Sequence, residues 1–369
     1  GSLNEWYTVD SIPAINSPAL LLYHDRVLEN IRMAITIAGD VNRLRPHVKT
    51  NKISEVCTMM MKEGIRKFKC ATIAEAEMLG LVRAEDVLIA YQPVGPSLHR
   101  LVELIKTYPA TDYSCLVDNA GTATALSEAA VQEHIQITVF IDLNTGMNRT
   151  GVHAAQAFPL VEFLLNLPGI VWKGLHVYDG HIQEVNGLQR QKKSDEGFRE
   201  VDFLALKINK ELERTPVIVA GGSATFPTHL KRKNVECSPG TFVFWDHGNK
   251  MRIPDQPYNY AALVITRIIS IIDEKTVCTD MGYKAVASES PLPRVFFLNL
   301  PDAVSLNQSE EHLVVQVENT SSLTIGDVLY AVPMHICPTV ALYKNALVIK
   351  NKEVVEQWNV IARDRRINI

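Results

Sequence analysis

Between about residues 17 and 240 the chain alternates short apolar runs with stretches of helical periodicity, and no other feature narrows its fold so far. The runs read as strands at 19–23, 44–48, 67–70, 87–91, 114–117, 137–143, 171–177 and 217–220. Strands that are apolar throughout belong to parallel sheets covered by helices. Repeats of this number over about 220 residues are what a (β/α)8 TIM barrel requires. A doubly wound sheet is the competing architecture. Local signals agree with helices between strands. Leu28, Ile31, Ile35 and Ala38 recur at helical spacing, and Gly39 stands where a C-terminal cap is wanted. Thr72 and Glu75 form a capping-box pattern that opens a later helix.

After residue 240 the texture changes. Segments 261–273, 276–279, 294–299, 313–318 and 328–331 read as strands separated by turn residues, without clear helical periodicity. Trp6-Tyr7-Thr8-Val9 is expected to add another strand to them. The expected organisation is therefore α/β: a TIM barrel over 15–243, and a β domain built from 1–14 and 244–369.

Composition excludes several classes. A formal net charge of -4, with no basic cluster longer than Lys231-Arg232-Lys233, disfavours a nucleic-acid surface. No apolar run approaches the roughly 20 residues of a membrane span. No signal peptide is visible, and the six cysteines show no paired spacing, so reduced thiols and a cytoplasmic location are expected.

Three segments carry chemistry. Lys49 ends an early strand in Leu44-Arg45-Pro46-His47-Val48-Lys49-Thr50, and lysine forms Schiff bases with aldehydes when burial lowers its pKa. A solvated lysine beside a turn proline is the bland alternative. The strand at 217–220 runs into Gly221-Gly222-Ser223-Ala224-Thr225, where successive N–H groups and a hydroxyl can cradle a phosphate at the C-terminal face of a barrel. His335-Ile336-Cys337 places an imidazole and a thiolate two residues apart, which on an extended segment puts both on one face to meet a single cation. A metal-free buried pair is the alternative. Arg149, Tyr178 and His181 follow later strands, where barrel enzymes place function. Arg149 is read as binding an anionic oxygen, Tyr178 as meeting a ring nitrogen, and His181 as holding a water or a carboxylate.

The ordered set Arg-Pro-His-x-Lys-Thr at 45–50, Ala71-Thr72-x-x-Glu75-Ala76, Gly146-x-Asn148-Arg149-x-Gly151, Gly221-Gly222-Ser223, Pro239-Gly240-Thr241, Asp280-x-Gly282-x-Lys284 and His335-x-Cys337-Pro338 spans nearly the whole chain. It resembles the metal-activated pyridoxal 5'-phosphate lyases related to alanine racemase, the D-threonine aldolase and D-serine dehydratase family. The resemblance implies a barrel with a β domain, usually a homodimer, acting on a small D-amino acid that carries a 3-hydroxyl. It implies that Lys49 holds the cofactor covalently and that Gly221, Gly222, Ser223 and Ala224 hold its phosphate. Tyr178 would face the ring nitrogen, Arg149 would lie near the phenolic oxygen, and His335 and Cys337 would bind the divalent ion. Either Lys49 removes the Cα proton, which leads to dehydration, or a base such as His181 takes the hydroxyl proton, which leads to aldol cleavage. Cys337 departs from the aspartate general in the aldolase branch and favours zinc over manganese or magnesium. A racemase would need a second base and no metal. A non-catalytic pyridoxal phosphate carrier would be expected to be a barrel alone.

Overall fold

The computed structural model describes residues 5–369, which divide into two compact units. One contains the described residues up to Met33 together with Thr50–Glu55 and Thr241–Arg363. The other contains Ala34–Lys49, Val56–Gly240 and Asp364–Ile369.

Strand β1 (Ala19–Tyr23) and helix α1 (His24–Ala38) come first. The helix buries Val27, Ile31 and Ala34, and it ends as its sequence predicts. Gly39 adopts φ +75° and returns its N–H to the Ile35 carbonyl at 3.0 Å. The barrel unit holds β2 (Lys67–Cys70), β3 (Asp86–Ile89), β4 (Asp112–Val117), β5 (Ile137–Leu143), β6 (Ile170–Val177), β7 (Val217–Ala220) and β8 (Val235–Cys237), all parallel and paired in chain order. Residues 44–48 close the ring. Leu44 bridges Cys237 on one side and His47 bridges Lys69 on the other. The Arg45 N–H reaches the Cys237 carbonyl at 2.8 Å, and the Val48 N–H reaches the Lys69 carbonyl at 2.9 Å. Pro46 has no N–H to give, which keeps this segment a pair of isolated bridges rather than a regular strand.

The expected fold class holds, but two strand assignments do not. The run at 19–23 is not the first barrel strand; residues 44–48 take that place. The three-residue β8, unread in the sequence, completes the ring after β7. An apolar run of five residues reports burial and not which sheet buries it.

The helix between β2 and β3, α2 (Ile73–Leu81), starts at the capping box. Thr72 accepts from the Glu75 N–H, and the Glu75 carboxylate accepts from Ala71, one residue before the cap, at 2.9 Å. Inside the barrel, Leu88, Leu116, Phe140 and Val219 form an apolar plug from four strands. Below it, Arg45 donates to Asp86 at 2.7 Å and to Glu236 at 3.1 Å, Lys67 reaches Glu236 at 3.0 Å, and Lys173 reaches Asp86 at 3.4 Å. Above it, Lys69, Asp142 and His176 lie near the C-terminal ends of β2, β5 and β6.

The other unit is a mixed sheet. Strands β9 (Ala262–Asp273), β10 (Thr276–Thr279), β11 (Val295–Phe297), β12 (Val304–Gln308), β13 (Leu313–Gln316), β14 (Val328–Pro333), β15 (Asn345–Lys350) and β16 (Glu353–Asn359) join β1 in the order β12-β13-β10-β9-β1-β15-β16, with β14 bridging β9 to β11. β1 is a central strand here, antiparallel to β9 and parallel to β15. No strand forms at 6–9; Trp6 and Tyr7 lie in a turn.

Candidate active site

In the barrel unit a cavity of about 230 Å³ opens at the C-terminal ends of the strands, lined among others by His47, Lys49, Lys69, Arg149, His176 and Tyr178. Lys49 stands just past the closing segment, partly buried, its backbone N–H donated to His47 Nδ1 at 3.2 Å. Its amine lies 5.6 Å from the centroid of the Tyr178 ring, within cation–π range. The Arg149 guanidinium lies 4.9 Å from the same centroid. The loop after β5 is shaped to bring it back. Asn144 Oδ1 accepts from the N–H groups of Gly146 and Asn148 at 3.0 and 3.1 Å, and Asn148 sits at φ +55°. Gly151 turns at φ +103°, where a Cβ would lie 2.8 Å from the Leu143 carbonyl carbon.

Residues that motif reading missed line the same cavity. Lys69 is 2% exposed, and its ammonium lies 5.3 Å from the Tyr178 centroid. Burial, with Lys49 close by, pulls its pKa down to about 7. His176 meets Asp142 at 2.9 Å through Nδ1, and the Thr150 hydroxyl donates to the same carboxylate at 2.7 Å. Burial, reinforced by Lys69, lowers His176 to about 4, so it is neutral near pH 7 with its proton on the nitrogen facing Asp142. Its Nε2 is then a bare acceptor, buried without a partner. The available signal was spacing: Lys67 and Lys69 alternate on an otherwise apolar strand, so both face the barrel interior.

The loop after β7 has the form of an anion cradle. Gly221 gives its N–H to the Val177 carbonyl at 2.9 Å, while Gly222 and Ala224 have N–H groups without a partner among the described residues. Gly221 adopts φ +76°, and a Cβ there would come within 2.6 Å of Thr225 Oγ1 and also meet the His229 ring. Both neighbours are fixed by buried Asp179, which accepts from Thr225 at 2.7 Å and meets His229 Nε2 at 2.8 Å. Gly222 faces the Tyr178 ring, where a Cβ would stand 3.3 Å from Cε2. The structure thus gathers Lys49, Arg149, Tyr178 and the Gly221–Gly222 turn around one ring. His181 is exposed, packs against Gly146 and is not among the residues lining the cavity.

In the other unit His335 and Cys337 come together, but not on an extended segment. β14 ends at Pro333, His335 is the N-cap of the short helix Ile336–Val340, and Cys337 lies in its first turn. The imidazole meets the thiol directly and also contacts Glu289. The Thr50 hydroxyl is 3.0 Å from Cys337 Sγ. Burial would raise the thiol, yet His335 and Thr50 hold it below its ordinary value. Burial would likewise lower His335, yet Cys337 and Glu289 raise it to about 9. An imidazole and a thiolate-prone sulfur in contact suit a soft divalent ion such as zinc. Among the described residues no group of three or more His, Cys, Asp or Glu is placed to hold a metal, so such an ion would draw two of its ligands from this pair. All six cysteines are free thiols, and no helix among the described residues is long and apolar enough to cross a membrane.

Two family descriptions match the chain in succession. The alanine racemase N-terminal domain matches residues 23–247, and the putative serine dehydratase domain matches residues 261–349. The D-threonine aldolase of Arthrobacter sp is 27% identical over 366 residues, covering 96% of this chain and 94% of that protein. The 3-hydroxy-D-aspartate aldolase of Paracoccus denitrificans (strain Pd 1222) is 26% identical over 377 residues, covering 97% and 96%. In fold, the crystal structure of D-threonine aldolase from Filomicrobium marinum superposes with a TM-score of 0.87 at 24% identity over 95% of each chain. With more than half its length matched by one family description, the chain belongs to the alanine racemase N-terminal domain family.

Proposed function

We propose that the protein is a pyridoxal 5'-phosphate- and divalent-metal-dependent lyase of D-3-hydroxy amino acids. Its reaction is either dehydration, giving pyruvate and ammonia from D-serine, or retro-aldol cleavage, giving glycine and acetaldehyde from D-threonine. The observation that carries this reading is the Lys49 amine at the C-terminal mouth of a closed barrel, held against an aromatic ring beside a glycine cradle. Pyridoxal phosphate supplies an electron sink for charge at Cα. The residues fit it. Lys49 offers a primary amine to its aldehyde, and the unpartnered N–H groups of Gly222 and Ala224, with Gly221 and Ser223, suit its phosphate. Tyr178 is assigned to the ring nitrogen and Arg149 to the phenolic oxygen.

For dehydration, Lys49 Nζ takes the Cα proton. For carbon–carbon cleavage the proton leaves the β-hydroxyl instead, and His181 is the residue proposed to accept it. His335 and Cys337 would hold the cation whose Lewis acidity would polarise the β-hydroxyl, easing its departure in dehydration and the loss of its proton in carbon–carbon cleavage. The sulfur ligand favours zinc and the dehydratase, whereas the aldolases among the relatives favour cleavage. A homodimer is part of the reading, and sedimentation equilibrium reads it directly.

The test is product analysis with D-serine and D-threonine, with and without chelator. Pyruvate or 2-oxobutanoate with ammonia assigns dehydration; glycine with acetaldehyde assigns the aldolase. Racemisation is a second reading, favoured by Lys69 as another amine in the cavity, so the configuration of recovered amino acid is measured in the same run. Cofactor uptake with none of these products, or full lyase turnover after metal removal, contradicts the proposal.

A further inference from the structure

Lys69 has an environment that the barrel alone does not account for. Its side chain is 2% exposed, yet no described carboxylate forms an ion pair or hydrogen bond with its ammonium. The nearby carboxylates are engaged elsewhere: Asp142 by His176 and Thr150, Asp179 by His229 and Thr225. Asp142 is the one carboxylate that lines the cavity, and the other side chains there bring no negative charge, Lys49, Arg149, His176 and Tyr178 among them. Arg45, equally buried in the same barrel, is held by both Asp86 and Glu236. Burying a lone ammonium is costly, and lysines are almost never fully buried unless paired. Here the amine lines a cavity large enough for a ligand, beside the unpartnered His176 Nε2. The missing negative charge has to arrive with that ligand.

We propose that Lys69 is an anion-receiving residue of the site. Its ammonium takes a charged oxygen carried in by the ligand and so fixes the ligand against the Tyr178 ring. The proposal rests on reading this cavity as the cofactor and substrate site. Two ligands carry such an oxygen, the pyridoxal cofactor and the α-carboxylate of the amino acid, and the experiment separates them.

Lys69→Met keeps most of the length of the side chain and removes its charge; Lys69→Arg keeps a charge. In ligand-free protein the Met variant is expected to melt at or above the wild-type temperature, because an uncompensated buried charge is gone. A structural lysine would give a clear drop, and that drop overturns the proposal. Pyridoxal phosphate affinity is then measured by equilibrium dialysis, and KM for D-serine or D-threonine with cofactor at saturation. Cofactor binding weakened about tenfold or more in the Met variant, the scale of one charge-assisted hydrogen bond, and recovered in the Arg variant, assigns a cofactor oxygen. Unchanged cofactor binding with KM raised about tenfold or more, and kcat much less affected, assigns the substrate carboxylate. A Met variant matching wild type in both overturns the proposal. A wild-type protein that takes up no cofactor is a separate result: it is the functional reading that then fails.

Discussion

The two ends of the barrel carry similar numbers of charged side chains and treat them in opposite ways. At the N-terminal end Arg45, Lys67 and Lys173 meet Asp86 and Glu236, and every cation touches a carboxylate. Asp86 accordingly titrates below its ordinary value: burial would raise it, and Arg45 and Lys173 outweigh that. At the C-terminal end Lys49, Lys69 and Arg149 crowd one tyrosine ring, while the nearby carboxylates Asp142 and Asp179 are taken by histidines and threonines. Charge balanced from within closes a barrel end; charge left open waits for something from outside. The contrast follows the general division of barrels into a stabilising bottom and a reactive top.

Breaking each end should have a different consequence. The largest effect is expected for Lys49→Ala: product formation falls by about 10²–10⁴-fold, while stability to urea stays within about 0.5 kcal/mol of wild type. Retained turnover would place the reactive amine elsewhere. Arg45→Ala should do the reverse. It leaves Asp86 and Glu236 without their shared guanidinium, at a cost of about 3–5 kcal/mol, read as a lowered urea midpoint with turnover per folded molecule preserved. If it instead abolished activity in folded protein, the division between the two ends would fail.

Gly221→Ala probes the cradle. Forcing a side chain onto φ +76°, against Thr225 and His229, should cost about 1–3 kcal/mol. It should also weaken pyridoxal phosphate binding in dialysis; unchanged binding would remove the phosphate from this loop.

The smallest effect is a pH dependence of the ligand-free protein. Lys69 titrates at about 7 when folded, below its unfolded value, because burial disfavours its charge. Between that pH and the ordinary lysine range near 10.4, the unfolded chain binds the additional proton, so stability rises with pH. The penalty is fully present below about pH 7. Denaturation series at several pH values should show this rise in wild type and a flatter profile in Lys69→Met. Equal profiles would mean that burial does not depress the titration of this amine.

Much of this was legible in the sequence, and the losses have physical causes. The parallel strands, the capping box at Thr72 and the glycine cap at Gly39 are local signals, and they survive folding. The role of 19–23 is not local: five residues, four of them buried, fit any interior strand, and only pairing with β9 and β15 decides the sheet. β8 was hidden by its length and by Glu236, whose charge is satisfied inside the barrel by Arg45 and Lys67. Lys69, Asp142 and His176 escaped because single polar residues within apolar strands form no motif; their meaning comes from three strands meeting. His335 and Cys337 were paired by a spacing argument that assumed extended backbone, and the contact arises instead at a helix N-terminus.

The most direct test of the central claim is to load the protein with pyridoxal phosphate, reduce it with borohydride and map the modified peptide by mass spectrometry. The account predicts a single pyridoxyl group, on Lys49, with Lys69 unmodified. A label on Lys69 or on another lysine, or no label at all, would contradict it.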